Sequence, residues 1–114
     1  MMISVSQEVS LYVVTPPVFL NTSESEQRFL SGTPARMFCE ARGEPKPTIS
    51  WKRLDGRTIN LRNRGSQNQS TGGVLQLGSV TRRDSGDYLC IARNNYPPAI
   101  VKQIRLNVMC KYIL

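Results

Sequence analysis

A chain of 114 residues, 39% of them hydrophobic and with a formal charge of +7, has the size of one ordinary domain. It contains no histidine, so neither a Ser-His nor a Cys-His catalytic pair can form, and its three cysteines lack the spacing of a zinc site. No apolar run approaches the roughly 20 residues that cross a bilayer, and the basic excess speaks to solubility and association rather than to fold.

Taken in chain order, Ser6 to Val14 alternates. Val9, Leu11 and Val13 fall on one face and Glu8, Ser10 and Tyr12 on the other, the pattern of a half-buried strand. Pro16-Pro17 then stops it. A full set of strands can be counted without this segment. Residues 1–15 are therefore expected to be the last strand of a preceding domain and its hinge, with the domain itself over 16–109 and a tail over 110–114; a first strand of this domain is the other reading. Met1 to Val14 has no basic start and no small-residue cleavage site, unlike a secretion signal.

Val18-Phe19-Leu20 and Phe29-Leu30 read as edge segments flanking the polar stretch Asn21 to Gln27. Ala35 to Ala41 alternates with Ala35, Met37, Cys39 and Ala41 inward. Gly43-Glu44-Pro45-Lys46-Pro47 is a rigid turn. Thr48 to Arg53 is a strand with Ile49 and Trp51 inward and Ser50 and Lys52 outward. Asp55-Gly56 predicts a hairpin into Thr58-Ile59-Asn60-Leu61. Arg62 to Ser70 is polar, an edge strand or a loop. Leu75 and Leu77 face the core, and Ile100, Ile104, Leu106 and Val108 do so on the final strand. Between these lies Asn94-Asn95-Tyr96-Pro97-Pro98, a firm turn.

The stretch Asp84-Ser85-Gly86-Asp87-Tyr88-Leu89-Cys90 organises the rest. Asp84 and Ser85 suit a turn that bonds its own backbone, and Gly86 allows an angle other residues resist. Tyr88, two residues before Cys90, has the position of a tyrosine corner. Cys39 lies 51 residues earlier, and Trp51 stands on the next strand, where an indole packs against an inter-sheet bridge. Two buried free thiols would explain the cysteines alone, but not this combination. It specifies an all-β, immunoglobulin-like β-sandwich: two antiparallel sheets with Greek-key connections, bridged by Cys39 and Cys90, with Trp51, Tyr88, Leu75 and Leu77 in the core. Such a bridge contributes roughly 4 kcal/mol for a loop of this length and implies an oxidising compartment. With neither signal nor anchor, the chain is expected to be a fragment of a secreted or surface protein.

Pro45-Lys46-Pro47-Thr48-Ile49-Ser50-Trp51 resembles the intermediate-set (I-set) immunoglobulin domains. Tyr88-Leu89-Cys90-Ile91-Ala92-Arg93-Asn94-Asn95-Tyr96-Pro97-Pro98 is more particular. It is similar to the second immunoglobulin domain of insect lachesin, of the defective-proboscis-response interacting proteins and of their vertebrate IgLON relatives. Pro16-Pro17 matches the hinge there, and Ile104-Arg105-Leu106-Asn107-Val108 the final strand. The tail Met109-Cys110-Lys111-Tyr112-Ile113-Leu114 departs from the pattern, where a proline-rich hinge is expected. The resemblance implies a membrane-anchored neuronal adhesion protein whose partners are other cell-surface immunoglobulin proteins, homophilic or heterophilic. By analogy with related domains it also implies a salt bridge between Asp84 and Arg64.

Several candidate sites follow. Because side chains alternate along a strand, Leu89 and Ile91 must point outward, near Lys52 and Val101, and form a candidate interface; the covering of these side chains by long basic stems is the competing reading. Asn21-Thr22-Ser23 and Asn68-Gln69-Ser70 are N-glycosylation sequons at Asn21 and Asn68. Lys52, Arg53, Arg57, Arg62 and Arg64 would bind heparan sulfate or a similar polyanion if they converged. A spacer role is the blandest alternative. Cys110 is an odd cysteine, leaving pairing between chains or no role at all open. No cofactor, metal, nucleic acid or enzymatic activity is expected.

Overall fold

The computed structural model describes residues 13–110. Most of the alternating segment Ser6 to Val14, and the last four residues of the tail, lie outside them. Among the described residues ten strands follow in order: β1 Thr15–Thr22, β2 Glu26–Leu30, β3 Pro34–Glu44, β4 Thr48–Arg53, β5 Ile59–Leu61, β6 Gly65–Gln67, β7 Ser70–Thr71, β8 Val74–Ser79, β9 Gly86–Arg93 and β10 Ile100–Met109. A 3-10 turn, Arg82–Asp84, precedes β9. The strands form two five-stranded sheets, ordered β2-β10-β9-β4-β7 and β1-β3-β8-β5-β6. This is the expected immunoglobulin-like sandwich. One pair departs from a purely antiparallel arrangement: β2 runs parallel to β10.

The inward faces are those the alternation predicts. Ala35, Met37 and Cys39 of β3 meet Ile49 and Trp51 of β4, Leu75 and Leu77 of β8, Tyr88, Cys90 and Ala92 of β9, and Ile104 and Leu106 of β10 in one buried cluster. Cys39 and Cys90 are bonded, tying the second sheet to the first across this core. Trp51 lies opposite Cys90 in the β4–β9 ladder. Its indole Nε1 donates to Gly72 O at 2.8 Å, so the buried ring leaves no orphaned donor.

Two local expectations are corrected. Pro16 and Pro17 do not stop a strand; they lie inside β1, which among the described residues pairs with β3 alone, and the ladder shifts register between Thr15 and Val18. An edge strand with a bulge tolerates two residues that cannot donate. The Asp55-Gly56 turn is formed, with Gly56 at φ +80°, but it closes no hairpin, because β4 and β5 belong to opposite sheets. Ile59 and Leu61 extend the second sheet and are buried in the core, with Leu61 paired to Leu77. Their burial there, rather than the turn residues, decides where the chain goes.

Candidate functional site

The base of the sandwich is built around Arg53, one of the five cations considered above for binding a polyanion. Arg53 has the same parity on β4 as Ile49 and Trp51, so its side chain turns inward, and it is only 3% exposed. All five of its N–H groups are used. Nε and Nη2 donate to the two carboxylate oxygens of Asp55 at 3.1 and 2.9 Å. Nη2 also donates to Ser85 O at 2.8 Å, and Nη1 to Arg83 O at 2.8 Å and to the Tyr88 hydroxyl at 3.3 Å. The guanidinium carbon stands 5.2 Å from the Tyr88 ring centroid, a cation–π contact. A buried arginine is tolerated because its fork meets acceptors in every direction.

The tyrosine corner is formed as expected. Tyr88 donates its hydroxyl proton to Asp84 O at 2.7 Å. Burial pushes the Tyr88 phenol up to about 12, against the opposing pull of the Arg53 charge. Asp55 is held below the usual carboxylate range, first by the hydrogen bonds from Arg53 and then by the Arg57 N–H. Gly86 sits at φ +146°. A Cβ there would come within 2.7 Å of Arg53 Nη2, so this glycine serves both the turn and the close approach of the guanidinium.

The Arg64–Asp84 salt bridge is not formed. The Asp84 carboxylate accepts the Thr81 backbone N–H at 2.8 Å and completes a capping box with Thr81. Arg64 is exposed in the turn between β5 and β6, where its carbonyl accepts from Gln67 Nε2. The cation beneath the sandwich is Arg53. The convergence that the alternative polyanion site requires is not formed by these residues: Arg53 is internal, Lys52 lies on the first sheet, and Arg62 and Arg64 follow β5 of the second.

The candidate interface residues are brought together on the outer face of the first sheet. Leu89 lies opposite Lys52 on one side and Gln103 on the other; the next outward rung sets Ile91 between Ser50 and Val101. Lys52, Gln103 and Val101 are exposed, Leu89 is half-buried, and Val101 is 54% exposed. Ile91 is the correction here. It is only 6% exposed despite its outward parity, so it supports the face from below rather than presenting itself to a partner. Beyond Leu89, Asp87 and Arg105 form an ion pair at 3.1 Å at the margin of the face.

Asn94 is a second residue whose role the sequence did not disclose. It is buried, with its amide Nδ2 donating to Thr15 O at 2.8 Å and Pro45 O at 2.9 Å, while its Oδ1 accepts from Tyr96 N at 3.1 Å. One side chain thus joins the start of β1, the β3–β4 turn and the β9–β10 turn. Both sequon asparagines, Asn21 and Asn68, are exposed, as is Cys110. Among the described residues no cluster could hold a metal ion.

The family model described as immunoglobulin domain matches residues 16–94. Over 92% of its length the chain is 36% identical to hemicentin-1 of Homo sapiens, and over 91% it is 32% identical to lachesin of Drosophila melanogaster. It spans only 2% of the first and 28% of the second. In the crystal structure of Dpr2 Ig1-Ig2 in complex with DIP-Theta Ig1-Ig3, 85% of this chain superposes on 33% of the matched chain with a TM-score of 0.80 and 36% identity.

Proposed function

Because the chain belongs to the immunoglobulin domain family, we propose that it is an extracellular adhesion and recognition module of a membrane-tethered protein, binding another immunoglobulin-domain protein at the cell surface. The observation that carries this reading is the pair of adjacent rungs on the outer sheet face. There exposed Val101 and half-buried Leu89 stand beside exposed Lys52 and Gln103. An apolar centre rimmed by polar side chains is the anatomy of a protein interface. Two further facts support it. The similar solved chain comes from a complex between two immunoglobulin-domain proteins. The bridge between Cys39 and Cys90 suits an oxidising compartment.

The test is a binding screen. The secreted chain, displayed as a multivalent prey, is offered to itself and to a panel of immunoglobulin-domain ectodomains. Saturable binding to at least one that survives moderate salt is expected. Binding to none, or binding only to heparin that collapses as salt rises, overturns the reading.

Thr15 is already paired in β1 opposite Glu44, so the same reading leaves residues 1–12, ahead of β1, as the end of a preceding domain. Residues 1–12 then contribute nothing to this sandwich, and deleting them leaves Tm unchanged. A fall of several degrees assigns the segment to this domain instead.

A further inference from the structure

The two sheets leave two open sides. On one the chain crosses from β1 to β2; on the other it crosses from β6 to β7. Both β6 and β7 are edge strands, of three and two residues. Exposed edges present unpaired backbone groups that other chains can add to, and proteins protect them. Each crossing carries a sequon: Asn21-Thr22-Ser23 ends β1, and Asn68-Gln69-Ser70 joins β6 to β7. The two are not equivalent. Asn21 is paired in the β1 ladder opposite Glu40. The hydroxyl of its sequon, on Ser23, is buried and accepts the Phe38 N–H at 2.8 Å. Asn68 and Gln69 lie outside both ladders, in an exposed bend, and the Asn68 side chain makes no hydrogen bond among the described residues.

We propose that Asn68 carries an N-linked glycan that closes the β6–β7 side of the sandwich. The inference rests on the extracellular reading of the function. The donor is an oligosaccharide linked to a lipid through pyrophosphate. A bond forms between Asn68 Nδ2 and the anomeric carbon of the first sugar, the bond from that carbon to the pyrophosphate oxygen breaks, Nδ2 loses a proton, and the lipid pyrophosphate leaves. The glycan stands beside β7, at the margin of the first sheet. Val101 on β10 lies three strand spacings away, roughly 14 Å, so a sugar at Asn68 shields the open edge and leaves the β9–β10 half of the candidate interface uncovered.

The full chain is secreted from cultured animal cells behind an added signal peptide and its glycopeptides are located by mass spectrometry after peptide N-glycosidase treatment in heavy-oxygen water. The expected result is labelled aspartate at position 68, with the glycan lost in Asn68→Gln and Ser70→Ala but kept in Ser70→Thr. A secreted, bridged chain with Asn68 unmodified overturns the proposal, as does modification at Asn21 alone. Alkylation of Cys39 and Cys90 in the secreted chain is a separate result: it contradicts the extracellular reading itself, and the glycan with it.

Discussion

Arg53 shows how much of this domain depends on one side chain that periodicity alone places but does not explain. Removing its fork strands Arg83 O and Ser85 O beside a buried phenol. Arg53→Ala is expected to lower stability by about 3 kcal/mol. Arg53→Lys should recover only part of this, because an ammonium cannot reach five acceptors in one plane; chemical denaturation measures both, and a loss under 1 kcal/mol for Arg53→Ala contradicts the assignment. Tyr88 makes a pH prediction at the same scale. Its phenol is raised to about 12 in the folded state, above the roughly 10 of an unfolded chain. Folding therefore favours the neutral form. That contribution is fully present below pH 10 and is lost as pH rises from about 10 through about 12. Tyr88→Phe should be less stable at neutral pH by about 1–3 kcal/mol for the lost hydroxyl, and its stability should fall less steeply over that alkaline window; parallel falls for the two proteins would reject the account.

The strand β9 is buried on its inner face and, at Ile91, on its outer face as well, and this is the element at which the sequence was least sufficient. Alternation places Tyr88, Cys90 and Ala92 correctly in the core. It also sets Leu89 and Ile91 outward, and their ladder partners are the ones expected. What it cannot state is how far neighbouring side chains close over an outward position, and Ile91 is buried where Val101 across the rung is not. Ile91→Asp is consequently a folding mutation rather than an interface probe. A carboxylate at this site has lost most of its water and should cost about 3 kcal/mol or more; a melting temperature equal to that of the native chain would show the site to be open. The same limit explains the other misses. Asp55-Gly56 announces a turn, but sheet membership is decided by the distant pairing of Leu61 with Leu77. Asn94 reads as a turn residue, because its partners Thr15 and Pro45 are remote in the chain. The Cys39, Trp51, Tyr88 and Cys90 framework was legible because each residue's job is set by its spacing within one architecture.

At the scale of the molecule, a bridged core and a satisfied polar base form a rigid platform. Its first sheet holds Leu89, Lys52, Gln103 and Val101 on two neighbouring rungs, and a strand scaffold of this kind spares binding the cost of ordering backbone, leaving that of the side chains. The five cations considered for a polyanion do not gather on this face, since Arg53 is buried and Arg62 and Arg64 follow a strand of the other sheet. Whether this face binds is decided by comparing the native chain with Val101→Asp in equilibrium binding to an immunoglobulin-domain ectodomain recovered by the screen. Val101 is 54% exposed, so the substitution should leave Tm unchanged. Val101→Asp should weaken binding at least tenfold, about 1.4 kcal/mol, because it sets a charge into the apolar centre of the contact; native affinity in a folded Val101→Asp protein would remove this face as the binding surface.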